Sequence, residues 1–303
     1  MVVLFTILMV GFAAGKLGYM GGEFDRRLSN IIIDITCPAL ILSSTMGGTL
    51  PDRRLILPLL GISLVTYALL TLAAVVLPRL LTRHEDNRGV VGFALMFGNV
   101  GFIGYPIVAS IFGHQAVFYA AVLNVVNTFA VFTIGTMLLT SRSQGLPHSR
   151  RGWLRLLFST PMMAAYIAVA IVALQPANIP AVVSQPLTLI GNITVPAALL
   201  IIGSSMSRLS LRTMMGTPTV YATSLFRLAL LPLALFLLFR LMDFDPLVVS
   251  INTIVIAMPV ATYGTILCLK IGRDTTLITE LTFVTTLLSV VTIPLLAQLL
   301  TTP

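Results

Sequence analysis

Two stretches of the chain set glycine, proline and polar side chains into otherwise apolar surroundings: Gly98-Asn99-Val100-Gly101-Phe102-Ile103-Gly104-Tyr105-Pro106 and Met258-Pro259-Val260-Ala261-Thr262-Tyr263-Gly264. Proline brings no amide donor and clashes with the preceding turn, while glycine tolerates irregular backbone. A helix carrying either stretch is therefore expected to unwind. Amides near Gly104, Tyr105 and Pro106, and near Thr262, Tyr263 and Gly264, would then head new half-helices whose positive dipole ends suit a carboxylate. Gly101, Pro259 and Ala261 belong to the same breaks. A plain kink competes with this reading for one helix alone, but two breaks at matching places favour a binding site.

Polar side chains at similar depth extend the candidate site. Asn99 lies inside the first break and is the side chain expected to donate to a substrate. Asn124 and Asn127, at i and i+3, share a helix face and serve either as ligands or as interhelical hydrogen-bonding partners. Thr36, Asn192 and Thr194 precede Pro38 and Pro196; they present polar groups from facing helices or bond back to their own backbone. Asp34, Arg227 and Glu280 are ionisable residues within apolar segments, where charge is costly and often functional. Either carboxylate is a candidate proton-coupling site. Glu280 has two further readings, a pair with Arg227 or a place at the interface beside Arg273. Arg227 is also a candidate anion ligand.

These residues must be held by membrane helices. Only 9% of the 303 residues are charged and 57% are hydrophobic, against about 25% charged in a soluble domain. A spanning helix needs about 20 mostly apolar residues. Such segments fall near residues 2–20, 28–49, 55–81, 89–112, 115–140, 156–175, 184–206, 218–240, 246–270 and 275–300. The run from Met1 has no basic leader and continues past Gly15, so it reads as the first span and not as a cleaved signal. The basic stretch Ser141–Gly152 links residues 1–140 to residues 153–303.

The formal charge of +8 is scattered through short loops, which argues against nucleic acid. It sorts instead by side. Lys16, Arg26, Arg27, Arg79, Arg83, Arg88, Arg142, Arg150, Arg151, Arg155, Arg208, Arg212, Lys270 and Arg273 fall at one set of helix ends, against Arg53, Arg54 and Arg240 at the other. Because cytoplasmic loops are enriched in Lys and Arg, the linker is expected in the cytoplasm and both termini outside it. Asp34-Ile-Thr-Cys-Pro38-Ala39 is echoed by Asn192-Ile-Thr-Val-Pro196-Ala197, and Gly113 by Gly272. The expected fold is thus all-α and integral to the membrane: ten helices as two five-helix repeats, inverted because five is odd, with the fourth and ninth broken.

No catalytic constellation is present. His84, His114 and His148 lie in loops or at helix ends, and HExxH, G-x-S-x-G and P-loop patterns are absent. Cys37 and Cys268 lack metal-ligand spacing. Neither an enzyme nor a cofactor is expected; transport is expected to be facilitative or coupled to a proton, with sodium as the rival coupling ion.

At these residues the sequence resembles the auxin efflux carrier family, which includes plant PIN carriers and bacterial malate or malonate carriers and is related to the bile-acid sodium symporters. The resemblance runs through Val10-Gly11-Phe12 with Lys16-Leu17-Gly18, Pro38-Ala39-Leu40-Ile41, the two break motifs, and Thr285-Thr286-Leu287-Leu288-Ser289. It implies a scaffold from helices 1, 2, 6 and 7, a transport domain from the rest in which the broken helices four and nine cross, and an elevator motion. It also implies a carboxylate bound by Asn99 and the backbone around Pro106 and Pro259. The short linker resembles bacterial members, for which an inner-membrane location is expected, with the bilayer, a small organic anion and a second copy joined through the scaffold helices as partners. A sodium site from Asn124, Asn127 and Glu280, as in a sodium-coupled organic-anion symporter, is a rival expectation. A membrane receptor that binds without transporting is another.

Overall fold

The computed structural model describes residues 2–46, 51–140, 158, 160–174, 179–207, 217–270 and 273–301. The linker Ser141–Gly152, Arg208, Arg212 and Gly272 lie outside the described residues. Described in chain order, the helices are α1 (Val2–Lys16), α2 (Gly22–Ile31), α3 (Cys37–Ser43), α4 (Ile56–Val76), α5 (Pro78–Leu81), α6 (Glu85–Met96), α7 (Tyr105–Phe112), α8 (Ala116–Ala130), α9 (Thr136–Leu139), α10 (Thr160–Leu174), α11 (Ala181–Asn192), α12 (Thr194–Ser207), α13 (Pro218–Leu225), α14 (Leu231–Leu241), α15 (Pro246–Ile256), α16 (Tyr263–Lys270) and α17 (Thr276–Thr301). Wide π turns at Ile32–Thr36, Val100–Gly104, Val131–Gly135 and Phe226–Leu230 carry the chain into α3, α7, α9 and α14. Apart from one antiparallel bridge between Gly98 and Val260, the described residues contain no β-structure.

Among the described residues five helical runs are long and apolar enough to cross a membrane: Arg53–Leu81, Ala116–Leu139, Ala181–Ser204, Pro218–Leu241 and Thr276–Leu300. At 1.5 Å per residue, runs of this length match a hydrocarbon core of about 30 Å. Thr6–Lys16, Val100–Phe112, Thr160–Leu174 and Pro246–Ile256 are shorter apolar helices. Exposed Leu57, Leu72, Leu189, Leu237, Val291 and Leu295 are what lipid-facing surfaces require, since lipid imposes no cost on apolar exposure.

The chain divides into two compact units, and neither follows the halves of the sequence. The first takes Met1–Ile56, Gly101–Val122 and Leu156–Ser210; the second takes Leu57–Val100, Leu123–Arg155 and Leu211–Pro303. Sequence helices 1, 2, 6 and 7 therefore fall together in the first unit, and with them α7, which the resemblance assigns to the other group.

Within the first unit, α1 packs on α12 at very short range. A Cβ on Gly11 would overlap the Leu200 carbonyl, and one on Gly203 would overlap the Leu8 carbonyl. Small residues allow such approach, which is how helices gain dispersion energy when lipid supplies no hydrophobic drive. Gly203→Val is expected to cost about 1–3 kcal/mol through overpacking, read as a lowered thermal midpoint in detergent; an unchanged midpoint would contradict this contact. Asp25 is buried in this unit, and its Oδ2 accepts a 2.8 Å bond from Ser204 Oγ. His114, in the turn before α8, sits 3.0 Å from Ser43 Oγ, and burial lowers its pKa.

Polar contacts hold the second unit together. Asn252 donates to Thr66 Oγ1 at 3.0 Å and Ser63 to the Leu123 carbonyl at 3.1 Å. Arg273 donates to the Leu139 carbonyl at 2.6 Å. Asp274, just before α17, accepts from the Thr276 amide and hydroxyl, which hold its carboxyl below the ordinary value.

Candidate functional site

Both glycine and proline stretches interrupt their helices. Regular α6 stops at Met96, and Phe97 turns extended at φ −113° and ψ 116°. Regular α15 stops at Ile256. The two freed segments then pair with each other inside the second unit. The Asn99 amide donates to the Pro259 carbonyl at 2.8 Å and the Ala261 amide to the Phe97 carbonyl at 3.0 Å, with Gly98 opposite Val260.

This pairing explains how unwound backbone survives at membrane depth. An unmet buried amide or carbonyl costs about 1–3 kcal/mol, and non-helical backbone persists in a membrane only where protein or a cavity receives it. Phe97 to Val100 and Ala257 to Ala261 are all buried. The outward-facing Val260 amide donates to Thr285 Oγ1 at 3.0 Å. Phe97 stacks on Tyr67 with ring centres 6.3 Å apart and tilts against Phe93 at 4.9 Å, which fixes where α6 gives way.

Arg227 binds this crossing from behind. The side chain is 1% exposed. Its Nε donates to the Met258 carbonyl at 3.1 Å and its Nη1 to the Leu95 carbonyl at 3.0 Å. A Cβ on Gly98 would overlap Arg227 Nη2, so the glycine leaves the space that the guanidinium occupies. Among the described residues Glu280 makes no ion pair with Arg227, one of its candidate partners; the Nε and Nη1 of Arg227 donate to backbone carbonyls instead. Among the described residues the ion pairs are Arg26–Glu23, Arg27–Glu23 and Arg88–Glu85, so Glu280 makes no pair with Arg273 either. Glu280 is half-buried on α17.

The heads of the second half-helices differ in detail from the sequence expectation. Helical structure resumes at Val100 in a wide turn, so Gly104, Tyr105 and Pro106 lie inside a continuing helix and not at its start. Pro106 stands near the start of the regular α-helical stretch, where a missing amide costs little. The division between units falls between Val100 and Gly101; Gly101 is half-buried and Gly104, Tyr105 and Pro106 are buried in the first unit. In the second unit the Gly264 and Thr265 amides donate to the Ala261 and Thr262 carbonyls, so the residues heading α16 are Thr262, exposed, and Tyr263, half-buried.

The structure sorts the remaining candidates by helix face. Asn99 is 8% exposed and belongs to the crossing. Asn127 Nδ2 donates to Asn124 Oδ1 at 2.8 Å, which joins the two across their shared face and leaves the Asn127 Oδ1 buried with no partner among the described residues. Glu280 makes no hydrogen bond to either asparagine among the described residues. In the first unit, Thr36 and Thr194 are buried and their hydroxyls have no partner among the described residues. Asp34 and Asn192, two positions before them and so on the far side of a 3.6-residue turn, are exposed. Asp25 takes no role from sequence; Gly98 enters only as part of the break and Thr285 only through the resemblance. Asp25 stands beside Glu23, Arg26 and Arg27 and reads as interfacial; its burial depends on Ser204, far along the chain. No group of His, Cys, Asp and Glu among the described residues could hold a metal ion.

Helices of membrane-crossing length and two interrupted helices paired with each other, all among the described residues, are the features of a multi-pass membrane protein. The family model described as membrane transport protein matches residues 1–297, and the chain belongs to that family, the auxin efflux carriers. It is similar to an uncharacterized transporter of Methanocaldococcus jannaschii, 24% identical over 300 residues that cover 97% of this chain and 95% of the relative. It is also similar to an uncharacterized transporter of Methanothermobacter thermautotrophicus, 25% identical over 297 residues that cover 96% and 94%.

Proposed function

We propose that this transporter is a secondary carrier of small organic anions, mono- or dicarboxylates such as malate, malonate or auxin-like acids. The carrying observation is the mutual pairing of Phe97–Asn99 with Pro259–Ala261, which holds a buried amide side chain, Asn99, in the same crossing that runs on into the exposed head of α16 at Thr262. A half-helix head and an amide donor are the groups a carboxylate needs when water is withheld. In this reading the chain spans the membrane ten times as two inverted repeats, with both termini outside and the linker in the cytoplasm. The unit that carries the crossing moves in an elevator-like exchange of access. Exchange is either facilitative or driven by a proton or sodium gradient.

A sodium-coupled variant draws its support from Asn127, whose Oδ1, buried with no partner among the described residues, is the kind of oxygen a hard cation takes. Uptake of labelled malate, malonate and benzoate into proteoliposomes tests both readings. Saturable flux of at least one acid is expected, and its dependence on a sodium gradient or a pH gradient separates the couplings. No saturable flux of any of the three, under either gradient, would contradict the proposal.

A further inference from the structure

The crossing holds a buried charge that no acid among the described residues answers. A guanidinium stays protonated in proteins, and taking one from water costs several kcal/mol unless something offsets it. Among the described residues Arg227 forms no ion pair, and its partners are the carbonyls of Leu95 and Met258. Leu95 lies in the last turn of α6, and Met258 lies just past the end of α15. Each helix C-terminus carries about −0.5 of an elementary charge. Two of them amount to about one negative charge, which is what a single guanidinium neutralises.

Without that neutralisation the crossing would present two negative helix ends close to Asn99 and the head of α16, and these would repel a carboxylate. We propose that Arg227 is a positioning residue for charge selection: it cancels the C-terminal ends of α6 and α15, so that the crossing accepts an anion. It touches no substrate, being fully buried, and acts through the two carbonyls it holds. The π turn Phe226–Leu230 and the absent side chain of Gly98 are the local features that let it reach them. This inference rests on the crossing being the anion site.

The test compares Arg227→Gln and Arg227→Lys with the wild type, using labelled malonate and malate in proteoliposomes and size-exclusion profiles as the folding control. Glutamine keeps a donor and loses the charge; lysine keeps the charge and loses the fork. Arg227→Gln is expected to raise KM by at least about tenfold with kcat little changed, and Arg227→Lys to keep KM within about threefold. A folded Arg227→Gln with unchanged KM overturns the inference alone, as does an equal rise in both variants. Should Arg227→Gln not give monodisperse protein, Arg227→Lys decides: a KM near the wild-type value supports charge compensation, and a rise of about tenfold or more overturns it. Wild-type protein that takes up neither acid overturns the inference together with the carrier function beneath it.

Discussion

Gly98→Val abolishes saturable uptake, with an expected fall in initial rate of about a hundredfold. The argument is steric before it is chemical. A Cβ at residue 98 would overlap Arg227 Nη2 and stand 3.1 Å from both the Met258 Cβ and its carbonyl oxygen. Either the guanidinium leaves, stranding the Leu95 and Met258 carbonyls, or the extended segments part and lose the Asn99 and Ala261 hydrogen bonds. Each unmet buried group costs about 1–3 kcal/mol, and about 1.4 kcal/mol is a factor of ten. The check is initial rate per reconstituted protein, with a size-exclusion profile showing that the variant folds. A folded Gly98→Val with a rate within about twofold of wild type would mean that the crossing is not what carries flux.

Asn99→Ala is the second large effect, and it acts on affinity. The bond from the Asn99 amide to Pro259 belongs to the backbone, so the crossing outlives the loss of the side chain. A hydrogen bond to a charged group contributes about 1.5–3 kcal/mol, which corresponds to a rise in KM of roughly tenfold or more. Expression and thermal midpoint should stay near the wild-type values. Asn99→Asp should be worse, since it sets a carboxylate against a carboxylate. Unchanged KM in Asn99→Ala would assign the amide to packing.

The breaks were legible because glycine and proline announce them in the residue code: Pro259 and the glycines at positions 98, 101 and 104 mark where helical hydrogen bonding gives out. Their pairing was legible only as a crossing. That Asn99 bonds Pro259 while Ala261 bonds Phe97 is a backbone fact, and side-chain identity does not encode it. Arg227 stood out as a charge in an apolar segment, but its partners are carbonyls, so a search for a matching acid led to Glu280 instead. The position of the second half-helix was displaced for a similar reason. Pro106 looks like a break, yet the chain resumes its helix at Val100 through a wide turn that Gly101 and Gly104 tolerate.

Helix faces divided the remaining candidates in ways that spacing alone could not. Asp34 and Asn192 occupy matching places in the repeated motif and both are exposed, while Thr36 and Thr194 are both buried. Motif matching identifies the pairs, and only packing tells which member points inward. The grouping of the chain into units was the least legible feature, because each unit draws segments from both halves of the sequence and contacts between distant segments leave no local signal.

The central claim is that a carboxylate sits where the paired segments meet the head of α16, and Thr262 reports on that place directly. Cysteine at Thr262, in a background carrying Cys37→Ala and Cys268→Ala, can be labelled with a maleimide in the presence of increasing malonate or malate. Labelling is expected to slow by about tenfold at a concentration ten times the half-saturating value, as simple occupancy requires, with half-protection at the KM for uptake. A labelling rate that stays the same under saturating acid, in protein that still transports it, would contradict the account.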